Sequence, residues 1–198
     1  VLLGPEGVGL ISAFQSIINM VQGAAGLGID NSAVREIAQA SAHNKEAELS
    51  ETIVTQRRLV LLTGLLGLIV TLVLANYISL ITFDSEEYTW HIRLLSLAVF
   101  FNLVKGGQMA LVQGMRRIKD LALISILGAL LSTIISIPLI YWYETNGIAV
   151  YLLLLAFGQL VVSAWYARKV KLKSIQFGWK LSFLKSKGMI RLGLAFMG

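Results

Sequence analysis

Five apolar runs, at about 8–29, 59–83, 94–115, 121–143 and 147–167, leave this chain few ways to fold, and a sixth run opens near 188. A helix needs about 20 apolar residues to cross about 30 Å of hydrocarbon, and each full run is long enough. None shows the period-two alternation of a barrel strand, and only helices or closed barrels satisfy their backbone in a membrane. The expected fold is therefore all-α: a polytopic membrane helical bundle of about five complete transmembrane helices plus the start of a sixth. Composition agrees. Hydrophobic residues make up 56% of the chain and charged ones 14%, where a soluble domain carries roughly 25% charged residues. That excludes an ordinary soluble globular domain.

The net charge of +6 does not point to nucleic acid, because the basic residues fall between apolar runs rather than on one solvated face. They read as topology signals. Segment 30–58 holds Arg35, Lys45, Arg57 and Arg58; 116–120 holds Arg116, Arg117 and Lys119; and 168–191 holds Arg168, Lys169, Lys171, Lys173, Lys180, Lys185, Lys187 and Arg191. The intervening connections hold Arg93 alone. This alternation follows the positive-inside rule and predicts that 30–58, 116–120 and 168–191 are cytoplasmic. The opening turn, the acidic loop Asp84-Ser85-Glu86-Glu87 and the turn Glu144-Thr145-Asn146-Gly147 then face the other side. Trp90, Tyr141, Trp142, Tyr143, Trp165 and Tyr166 fall at span ends, where interfacial aromatics belong.

Within 30–58, Val34, Ile37 and Ala38, then Leu49, Ile53 and Val54, recur at helical spacing among charges. This predicts helices on or near the membrane surface, the second one started by a cap at Asn44. Residues 1–167 read as a partial transmembrane bundle, 168–187 as a basic cytoplasmic linker that also holds to anionic lipid, and 188–198 as the start of a second bundle. The chain opens on Val1 and stops at Gly198 shortly after an apolar run begins, so an excerpt of a longer protein is expected.

Polar residues inside the spans mark the faces that avoid lipid. In the first run Ser12, Gln15, Asn19, Gln22 and Gly26 follow one another by three or four residues and form one stripe. Such a stripe either bonds helices together or lines a water-filled cavity; three carboxamides on one face exceed what packing needs. In the third run Asn102, Lys105 and Gln108 lie on one side beside Gly106 and Gly107. Lys105 either snorkels toward the cytoplasmic end or faces an anionic ligand or ion pathway. Gly128, Ser132 and Ser136, at steps of four, form a ladder suited to close helix packing, with Pro138 beyond it permitting a kink. Gln159 and Ser163 share a face and suit packing and cavity lining equally.

Other constellations are weak. The acidic loop reads as solvated rather than as a divalent-ion site. His91 near Arg93 reads as an interfacial anchor rather than a base. With no cysteine and two histidines, thiolate chemistry and a zinc cage are excluded, and no cofactor is expected. No phosphate-binding loop, no paired carboxylates within a span and no nucleophile beside its base are present.

The order of several motifs carries a resemblance. Leu3-Gly4-Pro5-Glu6-Gly7-Val8-Gly9-Leu10 leads into a span ending Gly26-Leu27-Gly28-Ile29-Asp30. The helix Ala33-Val34-Arg35-Glu36-Ile37-Ala38-Gln39 follows, and Leu111-Val112-Gln113-Gly114-Met115-Arg116-Arg117 closes the third span. The chain resembles the Wzx-type O-antigen and polysaccharide flippases of the multidrug/oligosaccharidyl-lipid/polysaccharide superfamily. The resemblance covers the whole chain and would match the family's second span to the start of its seventh, without the first helix.

It implies two pseudo-symmetric bundles with substrate between them and alternating access. The implied activity is transfer of undecaprenyl-diphosphate-linked oligosaccharide across the bacterial inner membrane for O-antigen or related surface polysaccharide, with a polysaccharide polymerase and a chain-length regulator as implied partners beside the membrane lipids. Candidate cavity residues are Gln15, Asn19, Gln22, Asn102, Lys105, Gln108 and Gln159, with Lys105 suited to the diphosphate as a point charge. The rivals are a drug or cation exporter of the same superfamily, which would favour carboxylates in mid-span, and a membrane-embedded polysaccharide polymerase or ligase, which would carry a large exofacial loop.

Overall fold

The computed structural model describes residues 4–26, 28–42 and 46–170. The expected cap at Asn44, most of the basic linker and the run from 188 lie outside these residues. The described chain forms six α-helices and no strand: α1 (Gly4–Gly26), α2 (Ile29–Ala42), α3 (Glu46–Phe83), α4 (Thr89–Gly114), α5 (Ile118–Tyr143) and α6 (Ile148–Arg168). All but α2 are long and apolar enough to cross a membrane, which makes this a multi-pass membrane protein. At 1.5 Å per residue the 38 residues of α3 reach about 57 Å, well beyond the hydrocarbon layer. Its apolar stretch begins directly after the Arg57–Arg58 pair, and its first turns carry the charged residues.

Rows of exposed large apolar side chains, such as Leu62, Leu66, Ile69 and Val73 on α3 and Ile126, Leu130, Ile134 and Ile137 on α5, cover the outside of the bundle. Lipid is the solvent that tolerates such a surface. Trp90, Tyr141, Trp142, Tyr143 and Trp165 are exposed at helix ends, as interfacial anchors require. Tyr166 departs from that expectation. It is buried, and the Lys169 ammonium lies 4.1 Å from its ring centroid.

The connections are tight. Asp84 (φ +51°) turns α3 toward α4, and Arg116 (φ +55°) turns α4 into α5. A 3-10 turn over Glu144–Gly147 links α5 to α6. α5 runs unbroken through Pro138. Between α1 and α2, Gly28 adopts φ +62°, a conformation costly for any residue with a Cβ, and this joint ends one helix and starts the next.

α4 is the hub, packing against each of the other five helices. At one end Phe14 of α1 meets Phe83, Tyr88 and His91, whose ring stacks on Phe14 at 6.1 Å; His91 is thus part of an aromatic cluster rather than a free anchor. At the other end of α1, Gly26 faces Leu103. α1 therefore runs alongside α4 in the same direction, and α2 continues past the joint, with Ile37 against Gly114. The apolar face of α2 (Ile29, Ala33, Ile37) and Ile53 of α3 are buried in the bundle, not spent on the membrane surface.

Two apolar clusters result. One takes Phe14, Ile18, Ala75, Leu95, Val99, Leu103 and Ala156; the other takes Ile29, Ile37, Ile53, Val60, Ala110, Leu111 and Tyr166. On α4 the first ends at Leu103 and the buried members of the second begin at Ala110. On α6 the gap runs from Ala156 to Tyr166. The break holds Lys105, Gln108 and Gln159.

Candidate functional site

Within that break, successive residues of α4 meet different helices, as the turn of about 100° per residue dictates. Lys105 Nζ donates to Gln159 Oε1 of α6 at 2.9 Å. Gly106 faces the Asp30 carboxylate; a methyl group added at position 106 would lie 2.5 Å from Asp30 Oδ2. Gly107 faces α3, where Gln56 Nε2 donates to the Gly107 carbonyl at 2.6 Å and Val60 packs so closely that a methyl group would meet it at 2.7 Å. The paired glycines are what let a polar level of α2 and α3 reach the α4 backbone.

Lys105, Gln159, Ser125, Gly128 and Ser132, with Met109 and Ala129, line a cavity of about 360 Å³ between α4, α5 and α6. Ser132 Oγ and the Tyr151 hydroxyl share a hydrogen bond of 2.8 Å. Gly128 backs the Gln159 carboxamide at van der Waals distance. Two rungs of the small-residue ladder thus sit on the cavity wall, while Ser136 bonds only the carbonyl of Thr133 in its own helix. The Lys105 ammonium is bonded across to α6 rather than extended toward a helix end: Lys105 lies nine residues before Gly114, the end of α4, and Gln159 nine residues before Arg168, the end of α6, so it does not snorkel. An ammonium with donors to spare, a carboxamide and hydroxyls, with no acid among the lining residues, have the chemistry to hold an anion that also carries hydroxyl groups.

The α1 stripe stands apart. Gln15 Nε2 donates to Asn19 Oδ1 at 3.2 Å, and both side chains are exposed, as are Ser12 and Ser16, whose hydroxyls bond the carbonyls one turn back. Gln22 is half-buried, and no described hydrogen bond joins the stripe to Lys105. Exposed carboxamides cannot face hydrocarbon. Asn102 is half-buried on the same face of α4 as Gly106, one turn away. Gln108 points elsewhere, into a recess of about 110 Å³ with Gln56 and Arg57.

Asp30 and Gln56 were not among the residues singled out from sequence. Asp30 sits just past the first apolar run, and burial pushes its carboxyl up to about 6. The signal was the glycine pair on α4, which marked a close approach without naming the partner. Asp84, Glu86 and Glu87 are exposed, and Glu86 accepts a long contact from Asn76 Nδ2 at 3.4 Å. Among the described residues no group of three His, Cys, Asp or Glu stands ready to hold a metal ion.

No curated protein and no solved structure matches the chain. A family model described as "Polysaccharide biosynthesis protein" matches residues 1–197. The chain, a helical multi-pass membrane protein with a polysaccharide-related, transporter-like character, therefore belongs to the polysaccharide biosynthesis protein family, the family of the Wzx-type flippases.

Proposed function

We propose that this chain forms part of a flippase that carries an undecaprenyl-diphosphate-linked oligosaccharide from the cytoplasmic to the outer leaflet of a bacterial inner membrane by alternating access. The observation that carries this reading is the Lys105 ammonium, fixed at bundle depth by Gln159 on the wall of a hydroxyl-lined cavity without acids. A diphosphate needs a cation in a site of low dielectric, and sugar hydroxyls need carboxamides and hydroxyls. The exposed Gln15–Asn19 pair supplies a second polar surface for the glycan, while the hydrocarbon tail stays in lipid. Family membership supports involvement with lipid-linked polysaccharide. The end that gathers Arg35, Arg57, Arg58, Arg116, Arg117, Lys119 and Arg168 faces the cytoplasm on this reading.

The rival within the superfamily, a cation exporter, calls for a carboxylate in the cavity. Asp30 reaches the depth of Gly106 but is not among the residues lining the Lys105 cavity. A polymerase or ligase calls for a long exofacial loop, whereas five residues connect α3 to α4 and a four-residue turn connects α5 to α6.

The test is transport in proteoliposomes holding the full-length protein, comparing a fluorescent undecaprenyl-diphosphate oligosaccharide with a cationic dye, for wild type and Lys105→Ala. Movement of the lipid-linked sugar alone, slowed about tenfold or more by the substitution, is the expected result. Dye movement without sugar movement overturns the flippase reading.

A further inference from the structure

α1 and α3 are pinned together near both ends of their contact. At one end the Phe14 and Phe83 rings pack edge-on with centroids 5.6 Å apart, and at the other Gly67 lies against Ala25. Between these contacts runs a groove of about 490 Å³. Ile17, Met20 and Ala24 form its α1 wall, and its α3 wall runs from Leu66 through Leu74 to Thr82. Met20 is 79% exposed and Leu66 and Leu74 are exposed too, so the groove opens on the outside of the bundle. No charged residue lies on α3 between Arg58 and Asp84, and the only one on α1 is Glu6, at its start.

Shape and charge together select the occupant. From Leu66 to Thr82 α3 rises about 24 Å, which gives the groove a mean cross-section of about 20 Å², whereas a helix 10 Å across needs about 80 Å². A hydrocarbon chain fits this slot and a further helix does not. The two ends of the groove differ. By Ala25 it stops against the apolar core. Beyond Thr82 the chain turns through Asp84, Glu86 and Glu87, which are exposed and form no ion pair among the described residues. Arg93 is the single basic residue of this connection, so the acids outnumber it. Tyr77, exposed on the groove wall near the same end, adds a hydroxyl to that of Thr82. Such a rim repels an anionic headgroup and attracts an ammonium.

We propose that the α1–α3 groove holds an acyl chain of a phospholipid with a primary ammonium headgroup, the chemistry of phosphatidylethanolamine. The ammonium lies among Asp84, Glu86 and Glu87, and the phosphate lies beside the Tyr77 and Thr82 hydroxyls. A quaternary headgroup such as phosphatidylcholine brings the same charge without N–H donors for the carboxylates and binds less well. The site is separate from the Lys105 cavity and does not rest on the transport reading.

The experiment is lipid titration of the detergent-purified full-length protein followed by native mass spectrometry, with phosphatidylethanolamine, phosphatidylcholine and phosphatidylglycerol as probes. Wild type is expected to retain phosphatidylethanolamine in preference to both others. Ala24→Phe, which fills the groove from an exposed position, is expected to retain it about tenfold less. Asp84→Asn/Glu86→Gln/Glu87→Gln is expected to lose the preference over phosphatidylglycerol. Two controls should retain lipid as wild type does: Ile134→Phe, which enlarges an exposed apolar residue of α5, and Glu46→Gln/Glu48→Gln/Glu51→Gln, which removes the same charge at the opposite end of α3. Wild-type retention by Ale24→Phe is excluded on this reading; equal retention by Ala24→Phe and wild type, equal loss in either control, or a wild-type preference for phosphatidylglycerol overturns the proposal. A groove covered by a second copy, or by another part of the full-length protein, would leave wild type with no lipid beyond that of Ala24→Phe, which overturns it as well. Should Ala24→Phe fail to fold, wild type still decides: its preference over phosphatidylglycerol must fall as salt rises, and a salt-independent preference overturns the proposal.

Discussion

Lys105 on α4 and Gln159 on α6 meet at 2.9 Å in the level where the two apolar clusters of the bundle part. The bond ties the hub helix to the helix that ends the described chain, and it positions the ammonium on the cavity wall. Gln159→Leu is expected to lower stability by about 1.5–3 kcal/mol, the range for a hydrogen bond to a charged group, because it leaves the ammonium without its acceptor. Lys105→Met/Gln159→Leu is expected to recover much of that loss. Thermal denaturation in detergent through the double-mutant cycle checks the coupling, and additive effects would mean that the pair does not interact.

The exposed stripe on α1 makes the opposite kind of prediction. Gln15 and Asn19 bond only to each other and bury little, so Gln15→Leu/Asn19→Leu/Gln22→Leu is expected to change stability by about 0.5 kcal/mol or less per site. Transport of lipid-linked sugar by the full-length protein is expected to fall about tenfold or more. Unchanged transport would reduce the stripe to a packing surface.

The spans were legible because length and apolarity decide them: each of the five full apolar runs reappears as a helix to within about five residues of its expected ends, with α3 extended backward by its charged turns. Lys105 was legible as an outlier, since a lone cation in an apolar run has few explanations. The surroundings of that residue were not. Val34 and Ile37 show a helical period, but a period does not say whether the apolar face of α2 meets lipid or α4, and it is the contacts of Asp30 with Gly106 and of Ile37 with Gly114 that set α2 along α4. Asp30 and Gln56 look like ordinary polar residues near span ends. Only the missing side chains at Gly106 and Gly107 bring them to the hub, a match between distant positions that no local pattern encodes. Tyr166 was misplaced for a similar reason, because its neighbour Trp165 has the lipid-facing side of α6.

The glycine pair should resist any side chain. Gly107→Ala drives a methyl group into Val60 and Gln56, and Gly106→Ala drives one into the Asp30 carboxylate. Each is expected to destabilise the bundle by about 1–3 kcal/mol. The second is expected to be relieved by shortening its partner: Gly106→Ala/Asp30→Ala should denature at a higher temperature than Gly106→Ala alone. No relief would mean that the strain at 106 lies elsewhere than in the contact with Asp30.

Asp30 gives stability a pH dependence of a sign unusual for a carboxylate. It stands in the first turn of α2, where the helix N-terminus favours its charge, yet burial against α4 outweighs this and raises the carboxyl to about 6 from the ordinary 3.8. Its surroundings offer no compensation: Lys105 is committed to Gln159, Arg57 stands in the recess with Gln108, and the only charged residue of α1 is Glu6 at the far end. A group whose proton is held more tightly in the folded state stabilises the fold at low pH and loses that contribution as pH rises. The loss begins near 4, is complete just above 6, and amounts to about 2–3 kcal/mol at 1.36 kcal/mol per pH unit. Asp30→Asn, which keeps the shape without the charge, is expected to flatten this part of the profile and to be more stable than wild type at pH 7.5. Thermal denaturation of both proteins in detergent between pH 4.5 and 7.5 checks it: parallel profiles would show that Asp30 is charged throughout and that the contact with Gly106 costs nothing.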